Sequence, residues 1–253
     1  MLLERPLVFP APHHGDWNPT RFAYEEAQFT AADGTRLHGW FLEHPQAREV
    51  VLYAHGNGEN VAHVAPWMDI VRRDLEVSIL VFDYRGYGKS EGIPDEAGIV
   101  ADARAARRWL AQRTGLAETD IVLFGRSLGG AVLIDLAAND GARALIVQNA
   151  FSSLPDVAAY HYPWLPVRWL MRTRLNAAAK IGQYEGPLLQ THGAADQVVP
   201  IRFGRQLFEA ATTADKEFLE LPGCDHNDAD WAAIRQAVDH FLSRLRPRSH
   251  EKQ

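Results

Sequence analysis

The stretch VLFGRSLGGAVLIDLAA occupies residues 122–138. It divides into a short apolar run with strand character, the turn Gly125-Arg126-Ser127-Leu128-Gly129, and an apolar run at helical spacing. A serine with glycine two residues to either side, set between strand and helix, matches the G-x-S-x-G elbow. Such a turn holds the serine in a sparsely allowed backbone region, so that its hydroxyl projects outward. Glycine is needed at both flanks because strand and helix backbones pass too close for a side chain. The helix that starts beneath the serine points free N–H groups and its positive end at any negative charge forming there. With seven serines and 19 glycines in 253 residues, a chance match is on the order of a few per cent at ordinary residue frequencies. The other reading, a glycine-rich turn that serves packing alone, is the weaker one.

The same strand–loop–helix rhythm recurs to both sides of this turn. Apolar runs stand at 49–56 (EVVLYAHG), 78–86 (SILVFDYRG), 143–151 (RALIVQNAF), 186–193 (GPLLQTHG) and 216–223 (KEFLELPG). Each is nearly continuous in apolar residues, as a strand covered on both faces is. Helical patterns lie between them at 61–75, 95–112, 130–139, 201–211 and 230–245. Alternation of this kind means right-handed crossovers and a parallel sheet with helices on both sides. Ahead of them, alternating runs at 26–30 and 36–43 flank Asp33-Gly34, a hairpin signal. The expectation is one α/β domain over 1–253, with about eight strands, antiparallel at the start and parallel afterwards. Segment 152–185, rich in Tyr, Trp, Pro and Leu, breaks the rhythm. It reads as a small cap over one end of the sheet, with a short helix over 163–175, or else as a crossover helix with long loops.

Composition narrows the class. Apolar residues make up 47% and charged residues 23%, which suits a globular chain with a sizeable core. A formal net charge of −6 argues against a nucleic-acid partner. Arg104, Arg107 and Arg108 read as a solvated helix face. A single cysteine, Cys224, rules out a disulfide within the chain and favours a reducing compartment. Cys224 adjoins Asp225 and His226, but nothing around it forms a turn that would present a thiol nucleophile. The opening MLLERPLVFPAPHHGDW lacks the apolar core of a signal peptide. No run approaches the roughly 18 apolar residues of a membrane span. A cytoplasmic protein with no integral membrane segment is expected.

A serine hydroxyl becomes nucleophilic only when a base takes its proton and a third group orients that base. Asp196, in HGAADQVVP after the run ending near 191, and His226, in LPGCDHND after the run ending near 221, fall at the same sheet edge as Ser127. Alternatives remain at this point. Asp196 also suits a cap for the helix starting near Pro200, and Asp225 or Asp228 also suits the orienting role. His55 and His192, at other strand ends, read as packed histidines. His13 and His14 lack a partner set at metal-ligand spacing. For an oxyanion, the N–H of Leu128 is one donor. The N–H of Asn57 is the second, in the loop YAHGNGEN at 53–60, where Gly56 frees the backbone to turn. Neither phosphate-binding glycine pattern is present.

Taken together, HGNGEN (55–60), DYRGYGKSEG (83–92), GRSLGGAV (125–132), HGAADQVVP and HND resemble the α/β-hydrolase superfamily over residues 26–245. The similarity is to a small-capped branch of serine hydrolases that includes bacterial esterase-like proteins and membrane-attached eukaryotic relatives, some of them depalmitoylating. The resemblance implies Ser127 as nucleophile, Asp196 as orienting acid and His226 as base, with Asn57 and Leu128 as oxyanion donors. Tyr84, Arg85 and Ser90 fall in a fold signature and are expected to be structural. The membrane-attached relatives usually carry an N-terminal anchor or a cluster of lipidated cysteines. This sequence shows neither, which speaks against a membrane substrate. The expected reaction is transfer of an acyl group from a small-molecule ester or thioester to water, with no metal or organic cofactor. Tyr160, Trp164, Leu165 and Trp169, with Tyr162 and Met171, either line an apolar acyl pocket or pack the core. Two other functions stay open: a non-catalytic binding protein on this fold, and an acyltransferase or lyase using the same three side chains.

Overall fold

Strands that are apolar on both faces need cover on both faces, and this requirement arranges the chain. The computed structural model describes residues 4–228 and 230–246. Its sheet contains β1 (Glu25–Thr30), β2 (Arg36–Leu42), β3 (Glu49–Ala54), β4 (Val77–Phe82), β5 (Val122–Arg126), β6 (Ala144–Gln148), β7 (Leu188–Gly193) and β8 (Lys216–Leu221). The spatial order is β1-β2-β4-β3-β5-β6-β7-β8. β2 pairs antiparallel with both β1 and β4, and every later pairing is parallel. The helices are α1 (Glu4–Val8), α2 (Val61–Leu75), α3 (Glu96–Thr114), α4 (Leu128–Asp140), α5 (Leu154–His161), α6 (Val167–Leu170), α7 (Ala177–Ile181), α8 (Ile201–Ala210) and α9 (Trp231–Ser243).

Successive side chains of a strand point to opposite faces, and the core divides accordingly. On β3, Val50, Leu52 and Ala54 join the cluster under α3, α4, α7 and α8. Val51 and Tyr53 join the cluster under α2 and α9. Caps fix where the helices begin. Asn60 accepts the His63 N–H at the start of α2, and Asp95 accepts the Gly98 N–H at the start of α3.

The sequence expectation fails at three places. Strand β8 is an edge strand and stays half-buried along most of its length, so its apolar run is not covered on both faces. Arg107 is not on a solvated face. It is 3% exposed, pairs with Glu118 at 3.1 Å and donates to the Gly141 carbonyl at 2.8 Å, whereas Arg108 does stand out in solvent. The helix expected over 163–175 shrinks to the four residues of α6. Pro163 and Pro166 have no N–H to give. At the other end two glutamates capture the backbone: Glu4 takes the N–H groups of Arg172 and Thr173 at 2.8 and 2.9 Å, and Glu96 takes those of Arg174 and Leu175 at 2.7 and 2.9 Å. Helical structure forms instead on either side, in α5, capped by Ser153, and α7, capped by Asn176.

Candidate active site

Ser127 directly follows β5 and immediately precedes α4, with φ 51° and ψ −114°. A left-handed conformation at a non-glycine residue is strained, and the close packing around it holds it there. A side chain at Gly125 would meet the Gly129 carbonyl and come within 2.7 Å of the Gly130 Cα. One at Gly129 would run into the Ala54 carbonyl and lie 2.7 Å from that of His55. Strand β3, the elbow and α4 are thus in backbone contact. The Ser127 N–H is fixed by the Gln148 carbonyl at 2.8 Å.

Three chain segments that are distant in sequence meet at the serine. Its Oγ lies 3.2 Å from Nε2 of His226, and Nδ1 of that ring lies 2.7 Å from Oδ2 of Asp196. A carboxylate only accepts, so Nδ1 carries the proton and Nε2 is left to accept from the serine hydroxyl. All three residues are buried, at 8%, 8% and 5% exposure for Ser127, His226 and Asp196. The other oxygen of Asp196 accepts the N–H groups of Val198 and Val199 at 2.9 and 2.7 Å, which fixes the carboxylate plane. Asp225 does not touch the ring. It accepts the backbone N–H groups of His226 and Gln197, at 2.7 and 2.8 Å, and so braces one loop against the other.

The remaining histidines take other roles. His192 Nε2 donates to the Val199 carbonyl at 2.8 Å, behind Asp196, and burial holds its pKa below the ordinary value of 6.5. His55 is fully buried against Tyr84 and Tyr87, and burial likewise lowers its pKa. His13 bonds the Gly88 carbonyl while His14 packs on the His63 ring, so the adjacent pair diverges. Cys224 is half-buried and packs against the α2–α9 side of the core.

Beside the elbow, the loop after β3 carries Asn57. Its side chain is gripped at both ends, donating to the Val8 carbonyl at 2.6 Å and accepting from the Tyr87 hydroxyl at 2.7 Å. Among the described residues, neither the Asn57 N–H nor the Leu128 N–H has an acceptor. The 83–92 signature supports this loop from beneath. Tyr84 donates to the His55 carbonyl at 2.9 Å, Arg85 clasps the buried Asp102, and Ser90 bonds the Asp83 carbonyl at 2.8 Å.

Sequence reasoning missed the residues that tie these loops together. Arg126, the residue before the serine, pairs with Glu59 at 2.6 Å and donates to Asn227 Oδ1 at 2.5 Å and the His226 carbonyl at 3.1 Å. Glu59 in turn accepts the Gly56 N–H at 2.8 Å. Asn149, at φ 49°, donates to the same His226 carbonyl at 2.8 Å. A charged residue interrupting the apolar run 122–138 was the one visible signal of this brace.

The four aromatic and aliphatic residues assigned to an acyl pocket are all exposed. Trp164 and Trp169 are 73% and 89% exposed, and Leu165 is also in solvent. Tyr160 packs on Phe203 and Arg202 of α8 instead. A group lining an enclosed apolar pocket is shielded from water, so Trp164 and Trp169 do not form one. Among the described residues, no helix is long and apolar enough to cross a membrane.

Sheet order, elbow and the loops beyond β7 and β8 together define an α/β-hydrolase fold. Residues 45–180 match the family described as serine aminopeptidase, S33, and the chain belongs to this family of α/β hydrolases. An uncharacterised protein of Mycobacterium tuberculosis is 37% identical over 247 residues, covering 96% of this chain and 86% of that protein. The α/β-hydrolase domain-containing protein WAV2 of Arabidopsis thaliana is 34% identical, covering 81% and 73%. The Pyrococcus furiosus esterase Pf2001 superposes with a TM-score of 0.75 at 20% identity, covering 93% and 98%, a likeness of fold.

Proposed function

We propose that this protein is a serine hydrolase that cleaves carboxylic esters or thioesters through an acyl-enzyme on Ser127. The observation that carries the reading is the chain of contacts Ser127–His226–Asp196, 3.2 and 2.7 Å long, on a strained elbow. Strain at one buried serine is costly, and it is retained where a projecting hydroxyl is useful. Family membership and the esterase among the fold neighbours support the same chemistry.

Ser127 Oγ attacks the carbonyl carbon while His226 Nε2 takes the hydroxyl proton. Asp196 keeps the ring in the tautomer that can accept it and stabilises the imidazolium that results. The oxygen that gains charge is held by the N–H groups of Leu128 and Asn57, aided by the N-terminus of α4. His226 then passes its proton to the departing oxygen or sulfur as the bond to the acyl carbon breaks. Water, deprotonated by His226, attacks the acyl-enzyme, and the acid leaves as Ser127 recovers its proton. In this reading segment 152–185 is a small cap beside the site.

A chain-length series of p-nitrophenyl esters, run with Ser127→Ala as control, tests the proposal. Turnover that falls by at least 1,000-fold in the variant is expected, in line with the loss of a triad member (roughly 10⁴-fold or more). Equal turnover in both proteins would refute it.

A further inference from the structure

Among the described residues, six of the nine large hydrophobic side chains that stand in solvent fall within residues 160–170. They are Tyr160, Tyr162, Trp164, Leu165, Trp169 and Leu170. Scattered apolar exposure needs no explanation, but clustered exposure marks an interaction face. The backbone beneath these side chains is held. Pro163 and Pro166 stiffen it on either side of Trp164. The Leu165 N–H donates to the Tyr162 carbonyl at 3.0 Å, and the Trp169 N–H donates to that of Pro166 at 2.9 Å. Val167 is buried and anchors the turn. The Tyr162 and Trp164 rings meet edge to face, with centroids 5.9 Å apart. Helix α1, tied to this segment by the Glu4 bonds to 172 and 173, adds the exposed Leu7.

Charge on this face runs against that of the chain. Residues 160–176 hold Arg168, Arg172 and Arg174 and no acid, in a chain of net charge −6. Arg5 and Arg172 line one hollow, and Arg202 stacks on the Tyr160 ring at 4.4 Å. The acids that reach this segment are engaged: Asp156 by Arg168 at 2.7 Å, Glu4 and Glu96 by backbone N–H groups of 172–175, and Asp95 by the start of α3. The face thus escapes the negative charge that the rest of the molecule carries. Trp and Tyr rings gather where lipid headgroups meet acyl chains, and arginines beside them meet anionic headgroups. A protein partner has to offer a pocket for each projecting ring before it anchors anything. A fluid lipid layer needs no such match. The face also adjoins the supports of the serine site. His161 donates to the Val198 carbonyl at 2.8 Å, and the Val198 N–H holds Asp196 at 2.9 Å. On the other flank, the Val8 carbonyl of α1 holds the Asn57 side chain.

We propose that the 160–170 face seats this protein on an anionic lipid surface. Trp164, Leu165, Trp169 and Leu170 enter the layer to the depth usual for interfacial contact, about 5–10 Å, while the arginines meet lipid phosphates. Contact of this kind needs no spanning helix. It is reversible, and salt weakens its electrostatic share. Docking is a binding property and holds whether or not Ser127 turns over an ester.

Co-sedimentation of the whole chain with phosphatidylcholine vesicles, with or without about 30% phosphatidylglycerol, tests it. We expect an apparent affinity about tenfold higher for the anionic vesicles, falling at least about fivefold at roughly 0.5 M salt. The double variant Trp164→Ser, Trp169→Ser should bind at least about tenfold more weakly, with two large apolar rings gone. Its Tm should stay within about 2 °C of the parent, because both rings stand in solvent. Brominated lipid should quench tryptophan fluorescence in the parent and far less in the double variant. No binding, equal binding to both vesicle types, or binding unchanged in the double variant would each overturn the proposal. So would a dimer in analytical ultracentrifugation that the double variant abolishes, since a second copy would then cover this face. Labelling of Ser127 is read separately, so any of these results leaves the hydrolase reading standing.

Discussion

Replacing Arg126 by methionine removes the brace between the elbow, the Asn57 loop and the His226 loop while keeping the side chain's length. Three bonds go at once: those to Glu59 at 2.6 Å, Asn227 at 2.5 Å and the His226 carbonyl at 3.1 Å. Breaking a fully buried pair by removing one partner costs about 3–5 kcal/mol. Here the two side chains are 16% and 26% exposed, and water takes over part of the lost bonding, so about 2–3 kcal/mol is expected. For a chain of this size that lowers Tm by about 4–12 °C, at roughly 2–4 °C per kcal/mol. His226 keeps the Asn149 bond to its carbonyl, so the ring loosens without being lost. A fall in kcat of about tenfold, or about 1.4 kcal/mol of barrier, follows with little change in KM on a p-nitrophenyl ester. Thermal melts, steady-state kinetics and a double-mutant cycle with Glu59→Gln measure all three quantities. A coupling energy of about 1–2 kcal/mol is expected from the cycle. A Tm within 1 °C of the parent (far inside the expected shift), together with unchanged kcat, would refute the idea that this ion pair positions the site.

Asp196→Asn keeps an oxygen for the Val198 and Val199 N–H groups but loses the charge facing Nδ1. Its kcat should drop by about 10⁴-fold with the fold intact by circular dichroism. Tyr87→Phe releases one end of the Asn57 side chain and should lower kcat about fivefold more than it raises KM, as loss of one neutral hydrogen bond would. Gly129→Ala drives a methyl into the Ala54 and His55 carbonyls. Neither backbone can yield, so a loss of at least about 3 kcal/mol, read by urea denaturation, is expected. His55 and His192 have pKa values lowered by burial from an unfolded value near 6.5. Below that pH the unfolded chain binds protons that the folded chain resists, so stability present at pH 7.5 should decline as pH falls below about 6.5. Tm measured against pH should show a decline that is shallower in His192→Gln, and a Tm independent of pH between 7.5 and 5 would contradict it.

Much of this molecule is legible from residue order because its signals are local. The elbow needs glycines at fixed offsets, the Asp33-Gly34 hairpin needs a turn residue, and covered strands need apolar runs. Each leaves a mark within a few residues. Ser127, Asp196 and His226 were readable for a related reason: each follows a strand, and parallel strands deliver their ends to one edge. The illegible parts depend on contacts between distant segments. Arg107 looked solvated because Glu118 and Asp140 are brought to it only by folding. The short α6 was hidden because Glu4 and Glu96 reach the 172–175 backbone from 168 and 78 residues away in sequence. Edge position left β8 half-covered, and an apolar run alone does not say which strand stands at an edge. The exposed rings of Trp164 and Trp169 show the same limit, since an aromatic residue in a sequence carries no direction.

The account stands on one reactive alcohol, and covalent labelling reads it directly. Incubation with a fluorophosphonate, followed by intact mass and peptide mapping, should give one adduct, on Ser127. Labelling should slow by orders of magnitude in His226→Ala and vanish in Ser127→Ala. An unmodified Ser127 in folded protein, or an adduct formed equally fast without His226, would contradict it.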